Sequence, residues 1–178
     1  MHLEEPQEIE EEVIQEEVIQ EEVVPMDVSL ANLIANFESF SSTVYKCPAG
    51  KRTIGFGFTD KKHLDMAPIT EEKAWTILRN EVIPKYRAIV KEIVKVPLTE
   101  YQEAALISFT FNCGEGCLKK LVSKKGRLND GNYEATAKAM KLYVKAKVKG
   151  KPTTLNGLVK RRKAEYEMFN QKVIANNP

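Results

Sequence analysis

An amphipathic helix that runs directly into a glycine-containing hairpin is the feature that most constrains the fold of this 178-residue chain. The apolar residues between 30 and 37 recur at the helical spacing i, i+3, i+4, i+7, and Ser29 is placed to cap the helix. From 43 to 58, β-branched and aromatic residues flank a turn at 47–50, which predicts strand, turn and strand. This order delivers Glu38 to the end of a helix, next to the hairpin.

Two glycines and a series of helix signals extend this prediction along the chain. Gly55 and Gly57 indicate a bulge or a close approach of the backbone to another group. Thr70 should cap a second helix, which Pro84 should kink or split. A capping box precedes a largely apolar core helix, and the last helices are predicted at 117–125, 132–146 and 156–169. Together these elements predict an α+β fold with a hairpin lobe and a helical lobe.

Charge divides the chain into two parts of different character. Residues 1–27 contain ten Glu and one Asp with no Lys or Arg, whereas the rest holds 27 basic and 14 acidic residues. The acidic part repeats Glu-Glu-Val-Ile-Gln at 11–15 and 16–20, a period that suits neither a helix face nor a strand. We therefore expect 1–27 to be a largely disordered acidic tail and 28–178 to be the folded domain. A solubilising leader, a mask over the basic body, a segment removed by proteolysis and a handle for another protein all fit the tail.

The composition excludes several classes of protein. No apolar run approaches the roughly 20 residues that span a bilayer, so we expect a soluble protein without a transmembrane segment, and we see no secretory signal. Cys47, Cys113 and Cys117 are an odd set, and with His2 and His63 they form no closed zinc site, so we expect neither a disulfide framework nor a metal. The basic body favours polyanions such as nucleic acid, anionic lipid or a bacterial wall, but we find no motif for specific nucleic-acid recognition.

Three motifs, met in order along the chain, resemble the phage-type lysozymes, the muramidases of glycoside hydrolase family 24. The first is Glu38, eight residues, Cys47, five residues and Thr53, at the spacing of that family's Glu, Asp or Cys, and Thr. The second and third are the core helix segment 106–114 and the Gly-Leu-Val-x-Arg-Arg-x-x-Glu segment 157–165. The resemblance implies a lysozyme-like α+β fold, in which a helix joins a small β-hairpin lobe to a larger helical lobe, and makes 28–178 a catalytic domain.

The resemblance also implies an activity and a set of site residues. It predicts an endolysin-type N-acetylmuramidase that hydrolyses the β-1,4 bond between N-acetylmuramic acid and N-acetylglucosamine in peptidoglycan, with Glu38 as general acid. This role predicts a partly desolvated, protonated carboxyl group. Cys47 replaces the more usual carboxylate, and a thiolate there would attack the anomeric carbon, help to activate water or stabilise positive charge. Thr53 would orient the water, and Phe111 and Asn112 would contact the glycan.

Further expectations concern partners and departures from the family pattern. Phe58 stands where many members have His. Arg161 and Arg162 are predicted to form a basic surface for the anionic wall polymer, or else a solvated helix face, together with Lys119, Lys120, Lys124 and Lys125. We expect a monomer without cofactors, made in the host cytoplasm and acting on the wall after release by a holin, or carried in a virion. The alternatives are a lysozyme-like module that binds peptidoglycan or a protein without turnover, and a nucleic-acid-binding domain.

Overall fold

The first helix begins earlier than its sequence pattern predicts. The computed structural model describes residues 24–172, so most of the predicted tail lies outside the described residues. Helix α1 spans Met26–Glu38 and starts after Pro25, whose fixed φ suits a helix start. The prediction of Ser29 as N-cap is wrong, because its backbone N–H already donates to the Pro25 carbonyl oxygen at 3.1 Å.

The predicted hairpin follows α1 directly. Strand β1 spans Ser41–Lys46 and strand β2 spans Arg52–Gly55, paired antiparallel with Tyr45 opposite Thr53. The register is irregular between Ser41 and Tyr45, and the turn at 47–50 closes with a backbone hydrogen bond of 2.8 Å. The strand, turn and strand expected from 43–58 are therefore confirmed.

A second, tighter turn folds the end of the hairpin back on itself. Ile54 and Phe58 exchange two backbone hydrogen bonds, of 3.0 and 2.8 Å, around Gly55 and Gly57. Both glycines have positive φ, +64° and +82°, which a residue with a Cβ rarely adopts. Phe58 is buried and packs against the His63 ring at 5.4 Å. An apolar contact thus occupies the position where the family pattern often carries a histidine.

A long helical connection leads from the hairpin region to the helical lobe. Thr70 caps it as predicted, accepting from the Lys73 N–H at 3.1 Å. Pro84 lies at the start of α4, directly after a π-helical turn, and this wider turn accommodates the proline that the sequence predicted as a kink. The segments are α2 Lys61–Leu64, α3 Glu71–Ile77, the π-helical turn Leu78–Val82 and α4 Ile83–Ile93.

The helical lobe is built around one buried helix. Thr99 and Gln102 form the predicted capping box, with both reciprocal hydrogen bonds present. Residues 104–110 are all buried, so the helix they belong to contacts neighbours on every side. The helices of this lobe are α5 Glu100–Cys113, α6 Glu115–Ser123, a 3₁₀ turn Leu128–Asp130, α7 Tyr133–Met140 and α8 Asn156–Phe169.

A second hairpin corrects the prediction of a helix over 132–146. Helix α7 ends at Met140, and strands β3 Lys145–Val148 and β4 Lys151–Thr154 follow. Lys149 and Gly150 both have positive φ, 49° and 78°, as two-residue hairpin turns require. Alternating burial along β3 gives the period of two that favours a strand.

One hydrophobic core runs through the molecule. Leu30 and Ile34 of α1, Ile54 and Phe56 of the hairpin, and Leu106 of α5 all belong to the same buried cluster. The end of α1 is therefore held between the hairpin and the helical lobe. Within residues 24–172, no helix combines the length and the apolar character needed to cross a membrane.

Candidate active site

Glu38 is the last residue of α1 and lies where the hairpin meets the helical lobe. Its side chain is 20% exposed, and its Oε1 accepts a hydrogen bond from Nη1 of Arg161 in α8. This ion pair joins residues 123 positions apart in the sequence. The carboxyl group is thus held in a fixed position while part of it stays accessible to a substrate.

The hairpin backbone packs against the same carboxyl group at Gly57. A Cβ atom added to Gly57 would lie 2.6 Å from Glu38 Oε2, which is too close for any side chain. The prediction that a glycine marks a close backbone approach is confirmed here. Glu38 is therefore enclosed by glycine backbone on one side and by the Arg161 guanidinium on the other.

Cys47 and Thr53 meet at one carbonyl oxygen of the hairpin. The Lys51 oxygen accepts from the Cys47 backbone N–H at 2.9 Å and from the Thr53 hydroxyl at 3.0 Å. Thr53 is 3% exposed and Cys47 is partly exposed. Because the Thr53 proton is donated to the backbone, its oxygen lone pairs are what it offers to a ligand.

Tyr45 is influenced by the charges of both Glu38 and Cys47. It lies opposite Thr53 in the hairpin and is partly exposed. Burial raises the pKa of the Tyr45 phenol, and the nearby Glu38 and Cys47 raise it further. The Glu38 carboxyl and the Cys47 thiol therefore both act on Tyr45, which is paired with Thr53 across the hairpin and which the spacing motif does not include.

Arg161 is buried, contrary to the prediction that it belongs to a basic surface. It is 3% exposed, and its Nε donates to Glu165 Oε1 at 3.2 Å while Nη2 lies 3.4 Å from the Ser108 carbonyl oxygen. Its guanidinium also lies over the rings of Phe37 and Phe111, at 5.6 and 5.9 Å. The physical reason for burial is that these partners replace the water that would otherwise solvate the charge.

Arg162 is likewise buried rather than on the surface. Its Nη2 donates to Asn112 Oδ1 at 2.8 Å, and its Nε lies 2.7 Å from Glu165 Oε2. Burial raises the pKa of Glu165, an effect that Arg162 and Arg161 oppose. Arg162 also contacts Cys113, and burial raises the pKa of that thiol to about 11. Because Arg162 takes the Asn112 oxygen, the amide NH₂ is the group left for a ligand.

The Phe111 ring packs roughly perpendicular to the Tyr86 ring, with ring centroids 5.4 Å apart, and stays partly exposed.

The sequence does contain a signal for the buried ion pairs of Glu165 with Arg161 and Arg162. In the Arg-Arg-x-x-Glu motif the two arginines lie four and three residues before the glutamate, and residues at these spacings meet on one face of a helix. The sequence prediction instead placed Arg161 and Arg162 on the surface, and it assigned no role to Glu165.

The site offers one carboxylate and no assembled metal-ligand set. Glu38 is the single acidic residue between Asp27 and Asp60 in the sequence, so the hairpin supplies no second carboxylate. Asp60 itself forms an ion pair with Lys85 at 3.2 Å. Among residues 24–172, no three His, Cys, Asp or Glu side chains are grouped so that they could hold a metal ion.

Comparison with known proteins identifies close relatives. A family model described as Phage lysozyme matches residues 35–165. The chain is 37% identical over 137 residues to an endolysin of Acyrthosiphon pisum secondary endosymbiont phage 1, a match that covers 77% of this chain and 92% of that protein.

Solved structures agree with this match. The endolysin from Escherichia coli O157:H7 phage FAHEc1 superposes with a TM-score of 0.69 at 32% identity, covering 85% of this chain and 97% of that one. The muramidase domain of SpmX from Asticaccaulis excentricus gives 0.69 at 30% identity, covering 81% and 96%. The lysozyme-like α+β fold expected from the sequence motifs is therefore confirmed.

Proposed function

The chain belongs to the phage lysozyme family and is a muramidase hydrolase that lyses peptidoglycan, and we propose that it cleaves the β-1,4 bond between N-acetylmuramic acid and N-acetylglucosamine. In this proposal Glu38 is the general acid. The observation that carries it is the position of Glu38 at the junction of the two lobes, with one oxygen paired to Arg161 and the other beside Gly57.

The two carboxyl oxygens of Glu38 have different surroundings, which suits proton donation. Oε1 is held by Arg161, whose guanidinium is itself fixed by Glu165 and Ser108. Oε2 faces the Gly57 backbone and carries no ion pair of its own among the described contacts. We assign to Oε2 the proton that passes to the leaving glycosidic oxygen as the bond breaks.

The hairpin supplies the groups for the opposite side of the bond. As the oxocarbenium-like centre develops, the Cys47 sulfur would attack the anomeric carbon, assist a water or stabilise the positive charge. A thiolate is the reactive form of cysteine, so this step gains from loss of the thiol proton. The Thr53 oxygen would accept a hydrogen bond from the attacking water, because its own proton is donated to Lys51.

Phe111 and Asn112 are proposed to contact the glycan from the helical lobe. Phe111 is partly exposed and lies beside Arg161, and Asn112 offers its amide N–H groups. Such donors suit the hydroxyl and N-acetyl oxygens of an amino sugar. As an endolysin-type enzyme, the protein would be made in the host cytoplasm as a monomer and act on the wall after release.

Digestion of purified sacculi tests this function. We expect reducing muramic acid ends from the unchanged protein, and Glu38→Gln should lower the rate by about 10² to 10⁴, the usual contribution of a general acid. Glu167→Gln, a change of an exposed glutamate on α8, is the control and should leave the rate unchanged.

Two results would overturn the proposal. Anhydro-muramic ends would indicate lytic transglycosylation instead of hydrolysis. Absence of cleavage from about pH 5 to 9, with sacculi still bound, would favour a module that binds without turnover.

A further inference from the structure

A large cationic groove lies apart from the candidate active site. It encloses about 780 Å³ between α6, α7 and the segment that follows α7. None of its lining residues belongs to the site around Glu38. The residues that define this cationic groove are Lys119, Lys120, Ser123, Lys124, Arg127, Ala139, Leu142 and Tyr143.

The groove combines unpaired positive charge with an exposed apolar side chain. Lys119 pairs with Glu115 at 2.9 Å, but within residues 24–172 no salt bridge joins Lys120, Lys124 or Arg127 to a carboxylate. Leu142 is 75% exposed, the largest exposure among the big apolar side chains of the described chain. A matching ligand is therefore a chain that carries several carboxylates and branched apolar groups in alternation.

The acidic segment at residues 4–22 of this same chain has that chemistry. It contains ten Glu and no Lys or Arg. Pairs of Glu alternate with Val-Ile pairs in the two repeats at 11–15 and 16–20. Each repeat thus presents two negative charges next to two branched apolar side chains, which are the two kinds of group that the cationic groove can satisfy.

Helix α4 lies between the start of the described chain and the helix α6 that lines this groove. Met26 and Asp27 share a small concavity with Lys91 of α4. Helix α4 also packs against α6, which carries Lys119, Lys120 and Ser123 of the cationic groove. Ten extended residues reach about 33 Å, which is roughly the diameter of a small domain.

We propose that the cationic groove binds the acidic segment of its own chain. Glutamates of the repeats pair with Lys120, Lys124 and Arg127, and the Val-Ile pairs pack on Leu142. Covalent linkage gives the segment an effective concentration of the order of millimolar, so weak individual contacts suffice. The bound segment neutralises part of the basic surface and lowers its attraction for anionic wall polymers.

Carbodiimide cross-linking, which joins a carboxylate directly to a contacting amine, tests the proposal. The full chain is treated at low ionic strength, and peptides are identified by mass spectrometry. We expect glutamates of the acidic segment to join Lys120 and Lys124 at least about threefold more often than the exposed Lys145 and Lys147 of β3, and this excess to fall at 1 M salt. The ion pair of Lys119 with Glu115 provides an internal positive control.

An equal mixture of ¹⁴N- and ¹⁵N-labelled protein identifies the donor chain. Cross-links within one isotope support the proposal. Mixed-isotope products would show that the groove takes the segment of a second copy, and an even spread over all exposed lysines would show no binding site. Either result overturns it.

A variant of the acidic segment separates groove binding from general charge attraction. Val13→Ser, Ile14→Ser, Val18→Ser and Ile19→Ser together keep every glutamate while removing the apolar groups. We expect these changes to reduce cross-linking to Lys120 and Lys124 about threefold, because the contact with Leu142 is lost. Unchanged cross-linking would reject the groove as the binding site.

Discussion

Gly57 determines the position of the candidate acid although it has no side chain. Its φ of +82° and its contact with Glu38 act together, since a Cβ would meet the carboxyl oxygen at 2.6 Å. Gly50 has nearly the same φ, +79°, but a Cβ there would meet no atom within 4 Å. Both positions require a residue that tolerates a positive φ, but only Gly57 also requires the absence of a side chain next to Glu38.

Gly57→Ala should impair activity far more than Gly50→Ala. Both changes impose a positive φ on alanine, which costs about 1–2 kcal/mol of unfolding free energy. Gly57→Ala also displaces the Glu38 carboxyl, and a misplacement of about 1 Å lowers rates by roughly 10². Urea unfolding and sacculus digestion measure the two effects. Equal losses of rate in both variants would contradict the role of the Gly57 contact.

Cys47 and Cys113 should differ in reactivity. Burial raises the pKa of Cys113 to about 11, so at pH 8 its thiol is almost fully protonated. Iodoacetamide should therefore modify the partly exposed Cys47 well before Cys113, as followed by peptide mass spectrometry. We expect loss of sacculus digestion to track modification of Cys47.

Substitutions check the origin of that inactivation. Cys47→Asp should retain digestion and resist the reagent, whereas Cys47→Ala should abolish digestion. A fully alkylated Cys47 with undiminished activity would remove this residue from the mechanism.

At the scale of elements, buried ion pairs hold helix α8 in its place in the fold. Glu165 is fully buried and pairs with both Arg161 and Arg162. Removing the shared carboxylate leaves two buried cations with one partner fewer. Removing one partner of a buried ion pair lowers the free energy of unfolding by about 3–5 kcal/mol, which is more than a surface ion pair contributes.

Glu165→Ala should therefore destabilise the protein strongly. We expect a fall of about 3–5 kcal/mol in the free energy of unfolding, measured by urea denaturation. Glu167→Ala, two residues along and exposed, is the matched control and should change stability by less than about 0.5 kcal/mol. Similar effects of the two changes would argue against the buried network.

The elements that the sequence predicted well are those with local signals. The capping box of Thr99 and Gln102 acts over three residues, and the hairpin that carries Cys47 and Thr53 closes through its own turn. The hairpin β3–β4 was missed because its short, lysine-rich strands share their composition with a solvated helix face. What identifies it is the turn conformation and its alternating burial, which depend on packing.

The site shows the same limit of sequence reasoning. The spacing of Glu38, Cys47 and Thr53 is visible in the sequence, but the ion pair that positions Glu38 spans 123 residues. Arg161 reads as a surface residue because nothing adjacent to it in the sequence reveals its distant partners. Only the packing of both α1 and α8 against α5 brings them together.

At the scale of the whole molecule, one polar cluster ties helix α2 to the π-helical turn further along the same connection. His63 of α2 is buried, and its Nε2 lies 3.0 Å from Oε2 of Glu81 in the π-helical turn. Lys62 donates to the same oxygen at 2.7 Å. These contacts hold a short helix of four residues that has little core of its own.

This cluster should make stability depend on pH through Glu81. Hydrogen bonds from Lys62 and His63 lower the pKa of Glu81 to about 2, from 4.5. A carboxyl group whose pKa is lower in the folded state adds stability above pH 4.5, and that stability is lost as pH falls towards 2. Because the Glu81 side chain is 43% exposed, solvent screening limits the effect to about 1 kcal/mol or less.

Glu81→Gln should remove this pH dependence. Near pH 7 the variant should unfold about 0.5–1 kcal/mol more easily in urea than the unchanged protein, because the amide keeps no charge for Lys62. The difference should shrink as pH falls below 4.5 and vanish below about pH 2, where Glu81 becomes protonated in both folded and unfolded chains. Glu134→Gln, which breaks the exposed i, i+4 pair with Lys138, is the control for a generic surface charge. A Glu81→Gln difference that stays constant from neutral to acid pH would mean that shape, rather than charge, makes this cluster hold α2 against the π-helical turn.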